Sequence, residues 1–308
     1  MEKFILLADD LGDQSESGIL RSQLLQDLAA KLCERLNQNL WALYVDSNPK
    51  TGLPVFDEKL ERQKQEALST LEEILKRNHI NFKIDCKSGD PASVILTEAK
   101  ESARLDFVIL GAQKKTGLKK ALLGSVSEEV VRHVQVPVLV LGPEAQRHKF
   151  KIREPNAIRI LFLSDLTAAS SLAEEFALKF AARLNASLTF CHSVGHKISH
   201  LKEMIYSHRV STKSVDLILK EISERAEVDL AKKIEQLQTK GLNVQSLLLK
   251  NEEDLSMNIN SVVDEKYDII VMGTHSRGKI LTSFLGSTAR NLVLSSAVPV
   301  LIVRSPLT

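Results

Sequence analysis

The sequence predicts an α/β protein built from two doubly wound, open parallel-sheet domains of five strands each, with helices on both faces. Three observations predict it. Short apolar runs alternate with helical segments of about 10–20 residues, which implies parallel pairing through right-handed crossovers. The stretch VILGAQKKTGLKKALLGSVSEEVVRHVQVPVLVLG (108–142) returns as IVMGTHSRGKILTSFLGSTARNLVLSSAVPVLIVR (270–304), with Gly111, Gly124, Ser125 and Val136-Pro137-Val138 recurring 162 positions later as Gly273, Gly286, Ser287 and Val298-Pro299-Val300. A length of 308 residues fits two such units, each of about 150 residues and large enough for its own core.

In the first copy, Phe4–Ala8 is a continuous apolar run, the mark of a strand covered on both faces. Helical spacing follows at Leu20, Leu24, Leu25, Leu28, Leu32 and Leu36. A strand is expected at Leu40–Val45, a charged amphipathic helix from about Asp57 to Lys76, and a strand at Ile80–Ile84. Pro91 marks the start of a short helix, because proline is favoured in the first helical turn. Asp106–Leu110 and Val136–Leu141 complete the five strands. The second copy repeats the series with Ile158–Leu163, a helix through Leu172, Phe176, Phe180 and Leu184, and a strand at Ser187–Val194. Its long helix is expected over Val215–Gln238, followed by strands at Val244–Leu249, Ile269–Met272 and Val300–Val303. The arrangement is Rossmann-like. The polar segment 142–156, with prolines near both ends, reads as the linker between domains at 1–145 and 157–308.

Composition narrows the function classes. A net charge of +2 does not suggest wrapping a nucleic acid or lying on an anionic membrane. No apolar run approaches the roughly 20 residues needed to span a bilayer, and the N-terminus lacks a signal-peptide layout. The cysteines Cys33, Cys86 and Cys191 form no CxxC pair, which fits reduced thiols in the cytosol.

Ligands of open parallel sheets bind beyond the carboxyl ends of the strands. The residues there are Asp9, Asp10, Val45, Asp46, Gly89 and Gly111 in the first copy, and Asp165, Val194, Lys250 and Gly273 in the second. In each copy a 12-residue loop separates the glycine from a Gly-Ser pair that opens a helix. Free N–H groups and the positive dipole end make such an opening receptive to phosphate. Gly273, Thr274, His275, Ser276, nine residues, then Gly286 and Ser287 resemble the G-x2-G-x9-G-[S/T] loop of the universal stress protein family. ILLADD, ILFLSD and His192-Ser193-Val194 are also similar to that family, and the resemblance covers both halves.

The resemblance implies a tandem universal stress protein: a cytosolic, adenine-nucleotide-binding regulator of the stress response, with ATP, with or without Mg²⁺, as its ligand. It implies that Asp165 and the Val194 backbone hold the nucleoside, while Gly273, Ser276, Gly286, Ser287 and Thr288 hold ribose and phosphates. The first-copy counterparts are Asp10, Val45, Gly111, Gly124 and Ser125, with Lys114 in place of the second glycine. It further implies that the last strands of the two halves pair, docking the domains pseudo-symmetrically, and it leaves a homodimer of the whole chain open.

The second copy is expected to be the better site. Ser276 is smaller than Lys114, and the helix opens with Arg290 where the first copy has a capping-box pattern, Ser125 with Glu128, next to Glu129. The acids Glu252, Glu253 and Asp254 count against it. Plainer readings stand beside these: each Gly-Ser pair as a turn, Asp10 and Asp165 as local caps, the lysines at 114, 115, 119 and 120 as a solvated loop face, and Cys191 as a core thiol. His192, His196 and His200 are not expected to share a metal, since Gly195 interrupts any single helix. No catalytic residue stands out: a slow ATPase would lack a general base, an arginine finger and an acid pair for metal. The rival from the interaction class is a nucleotide-free protein that binds a partner or apolar ligand.

Overall fold

A computed structural model describes residues 3–11, 13, 15–47, 53–115, 122–195, 198, 199, 202, 212–239, 241–251, 254–263, 266–274 and 285–304. The first half runs β1 (Phe4–Asp9), α1 (Glu16–Leu36), β2 (Asn39–Asp46), α2 (Pro54–Arg77), β3 (Phe82–Ser88), α3 (Pro91–Glu101) and β4 (Leu105–Gly111). A two-residue antiparallel ladder, β5 (Lys114–Lys115) with β6 (Leu122–Leu123), leads to α4 (Ser125–His133) and β7 (Val138–Leu141). After α5 (Pro143–Arg147), the second half runs β8 (Arg159–Leu163), α6 (Ser171–Arg183), β9 (Ser187–Ser193), α7 (Thr212–Gln238) and β10 (Val244–Leu249). It closes with α8 (Leu255–Val263), β11 (Ile269–Gly273), α9 (Ser287–Ser295) and β12 (Val300–Val303).

The ten long strands form one sheet in the order β10-β9-β8-β11-β12-β7-β4-β1-β2-β3. Within each half all neighbours are parallel. The halves join where β12 meets β7 antiparallel, with Leu139 opposite Leu301 and Val138 opposite Ile302. Leu139 and Leu301 are equivalent positions 162 apart, so the internal two-fold axis passes between them. Pairing removes two edges whose residues are almost wholly buried and would otherwise invite aggregation.

One continuous core lies on each face of the sheet. On one face α1, α2, α5, α6 and α7 cover Ile5, Phe107, Phe162 and Leu301. On the other, α3, α4, α8 and α9 cover Leu6, Val108, Val140 and Ile302. Both cores cross the junction, where Phe107 of β4 meets Phe180 of α6 edge to face at 5.8 Å. Such a pair adds about 0.5–1.5 kcal/mol beyond area burial. Arg183 then reaches back to Asp106 at 2.6 Å.

Two expectations shift. The third strand is displaced from Ile80–Ile84 to Phe82–Ser88: Ile80 is buried in the turn, donating to the Leu75 carbonyl, and the strand continues through polar residues because it is a half-exposed edge. The polar connector 142–156 is anchored at several points. Ala145 and Ile152 are buried, and the Gln146 amide donates to the carbonyls of Ala112 and Leu141. Asp268 accepts from the backbone N–H groups of Arg153 and Arg159.

Candidate functional site

The topology reverses beside β1 and β4, and helices α1 and α4 leave from opposite faces there. Between them, at the carboxyl end of the sheet, lies a cavity of about 580 Å³. It is within the about 300–1,000 Å³ typical of small-molecule sites. Asp10, Val45, Gly111, Gly124 and Ser125, the five first-copy residues singled out from sequence, all line it. Asp9, also expected at this end of the sheet, lines it too, and the structure adds Arg21, Gln113 and Ser127 to its wall.

The loop after β4 folds back so that the Gly124 N–H donates to the Gln113 carbonyl at 3.0 Å. Ser127 Oγ donates to the Gly111 carbonyl at 2.8 Å, holding the start of α4 against the end of β4. The expected capping box does not form. Gly124 is the N-cap, among the described residues no side chain caps the helix, and Glu128 turns away to Arg290 at 2.5 Å. The open helix end, with its first N–H groups and dipole, therefore faces the cavity.

Burial pushes the Asp9 carboxyl above its ordinary pKa, although bonds from Ser22 Oγ, Gln26 Nε2 and the Asp10 N–H oppose this. Asp10 is more open, and Arg21 lies 3.8 Å from it. Val45 sits on the wall at the end of β2, next to Asp46, which accepts from Lys64 at 2.6 Å. At the end of β3, Asp90 caps α3 by accepting from the Ser93 N–H, which fixes Pro91 at the rim.

The second half is built alike, with different side chains at the strand ends. Gly286 is the N-cap of α9, again without a side-chain cap, and Ser287 is exposed with Thr288 half-buried behind it. Asp165 acts as a local cap, accepting from the Thr167 N–H, Thr167 Oγ1 and Ser170 Oγ, while its Oδ2 is buried with no hydrogen-bond partner among the described residues. Val194 is 1% exposed and packs with Ile198 and Ala226. Its N–H donates to the Leu249 carbonyl and its carbonyl accepts from Ile198, so its N–H is already committed within the chain. Asp254 caps α8 through Ser256.

The charge argument for preferring the second copy therefore falls. Arg290 is committed to Glu128, and neither copy has a capping box. Ser276, Thr274-side loop residues from 275, Lys119, Lys120, His196, His200, Glu252, Glu253 and the Lys114 and Lys115 side chains lie outside the described residues. His192 is buried with Nδ1 2.8 Å from the Ser164 carbonyl. Burial pushes the Cys191 thiol up to about 12, as suits a core thiol. Among the described residues no group of His, Cys, Asp and Glu could hold a metal ion, and no helix is long and apolar enough to cross a membrane.

Arg21 is the charged wall residue that sequence reasoning missed. The signal was present: Arg21 precedes Leu25 and Leu28 by one and two helical turns, so a cation stands in the buried stripe of α1.

The fold and site define a duplicated doubly wound α/β protein whose helix openings suit an anion. The universal stress protein family matches residues 4–142 and again 158–304, and the chain belongs to that family. A universal stress protein of Methanocaldococcus jannaschii is 32% identical over 120 residues, covering 37% of this chain and 70% of that protein. One from Mycobacterium tuberculosis is 27% identical over 213 residues, covering 69% of this chain but 63% of its own length. The crystal structure of a universal stress protein from Archaeoglobus fulgidus superposes with a TM-score of 0.63 at 20% identity, covering 98% of both chains. That likeness is one of fold.

Proposed function

We propose that the protein is a stress-response regulator that binds an adenine nucleotide, ATP, and that the cavity of the first half is its principal site. One observation carries the reading: an uncapped helix N-terminus opens into a cavity lined by all five residues that the family resemblance assigns to the first copy. The wall also fits the ligand chemically. Gly124 and Ser125 leave room and donors for phosphates, and apolar Val45, Leu43 and Ile95 offer a face for a base. The reading is one of binding rather than turnover, because Asp9 is occupied by three donors and is not poised as a base.

Valine substitution at the two helix openings tests the site, since both glycines make only ordinary contacts at the Cβ position among the described residues. Among the described residues, a Cβ on Gly124 would come nearest the Gln113 carbonyl, at 3.6 Å, and one on Gly286 the Thr274 carbonyl, at 3.8 Å. Titration calorimetry with ATP is expected to show at least a tenfold loss for Gly124→Val and little change for Gly286→Val. Equal losses would mean two working sites. Loss confined to Gly286→Val would place the site in the second half, and a wild-type protein that binds no adenine nucleotide would overturn the proposal.

A further inference from the structure

Arg21 is 4% exposed, yet its side chain forms part of the cavity wall. Its stem lies across the face of Gly111, where an added Cβ would come within 2.6 Å of Arg21 Cδ and 3.0 Å of Cγ. Glycine is needed at 111 because an arginine occupies the space. The second half shows the contrast: a Cβ on Gly273 would meet the Ala173 methyl at 3.4 Å, an ordinary contact. The repeat thus carries a buried guanidinium in one copy and a methyl group in the other.

The guanidinium is held by carboxylates that are more accessible than it is. Nη2 donates to Asp13 Oδ2 at 3.1 Å and lies 3.8 Å from Asp10. Asp13 is itself fixed, accepting from the Ser15 N–H and Oγ and from Gln113 Nε2 at 2.8 Å. Burial pushes the Asp13 carboxyl up, but the bonds from Ser15 and Arg21 outweigh it and hold the group below its ordinary pKa. It therefore stays ionised at neutral pH and grips the arginine. Guanidinium has five donors in a planar fork that matches phosphate oxygens as well as carboxylate.

We propose that Arg21 is a phosphate ligand held in reserve by Asp13, which makes the first-half site selective for nucleoside polyphosphates over nucleosides. This rests on the reading of that cavity as the nucleotide site. An arriving phosphate competes with Asp13 for the fork, so binding loosens the contact between α1 and the Asp13 loop. Among the described residues the second half has the Ala173 methyl at the matching place, and it is expected to discriminate less.

Calorimetry with ATP and adenosine on wild type, Arg21→Gln, Arg21→Lys and Asp13→Asn tests this, with thermal melting as the check on folding. Arg21→Gln is expected to lower the ATP-to-adenosine affinity ratio about tenfold or more, the scale of a charge-assisted hydrogen bond. Arg21→Lys is expected to restore part of it, since the charge remains and the fork is lost. Asp13→Asn should raise ATP affinity several-fold by releasing the guanidinium, and this variant decides the matter if the Arg21 variants fold poorly. Tripolyphosphate should raise the melting temperature of wild type and not of Arg21→Gln. An unchanged ratio in Arg21→Gln, or equal or weaker ATP binding in Asp13→Asn, would overturn the inference while leaving the site reading intact. Wild type that binds neither ATP nor adenosine would overturn both.

Discussion

Expressed separately, residues 1–142 and 157–308 are expected to precipitate alone and to form a soluble one-to-one complex when produced together. Each fragment would expose an apolar strand, Val138–Leu141 or Val300–Val303, that the intact chain pairs across the internal axis. The axis also decides which pairing wins. Glu128 and Arg290 are equivalent positions, 162 apart, and they meet each other. A dimer of first halves would set Glu128 against its own copy, and a dimer of second halves would do the same with Arg290. Like charges so placed disfavour the wrong pairing. In the full chain, Arg290→Glu is expected to cost about 1–3 kcal/mol, between an exposed ion pair and a buried one. The side chains are 28% and 20% exposed, which places them between those cases. Size-exclusion chromatography with native mass spectrometry reads the first result and thermal melting the second. Stable, soluble monomers or homodimers of each fragment would contradict the account.

Gly142→Ala is expected to destabilise the protein by about 3 kcal/mol or more, at the upper end of overpacking effects. Gly142 is the N-cap of α5 and lies against α9 of the other half, where an added Cβ would sit 1.8 Å from the Val293 carbonyl oxygen. The Val293 carbonyl is backbone and the Cβ position is set by the backbone of residue 142, so neither can swing aside. The φ of −74° is open to any residue, which makes the requirement one of space alone. Denaturant unfolding of Gly142→Ala beside Gly124→Ala, whose Cβ makes only ordinary contacts, isolates the effect. Equal midpoints for the two variants would show that α5 and α9 do not need this close approach.

The repeated stretch revealed most of the fold because each of its features is local: an apolar strand, a glycine, a Gly-Ser helix opening and a Val-Pro-Val strand. Features that depend on the partner half were hidden. Ser125 and Glu128 follow the capping-box pattern, but the pattern cannot know that Arg290 waits across the axis. Gly142 corresponds to Arg304 in the second copy, so repetition gave no hint that one half must present bare backbone there. The connector looked polar because its anchors, Gln146 and Asp268, are polar groups satisfied inside the fold. Val45 and Val194 hold matching places in sequence; Val45 lines the first-half cavity, and Val194 packs with Ile198 and Ala226, a difference in neighbours that the motif does not carry.

Mass spectrometry of the freshly purified, denatured full-length protein is the most direct test of the central claim. Wild type is expected to release an adenine nucleotide, or to take up about one equivalent of ATP when it is supplied, and Gly124→Val to do neither. A folded wild-type protein that releases none and takes up none at millimolar ATP would contradict the account.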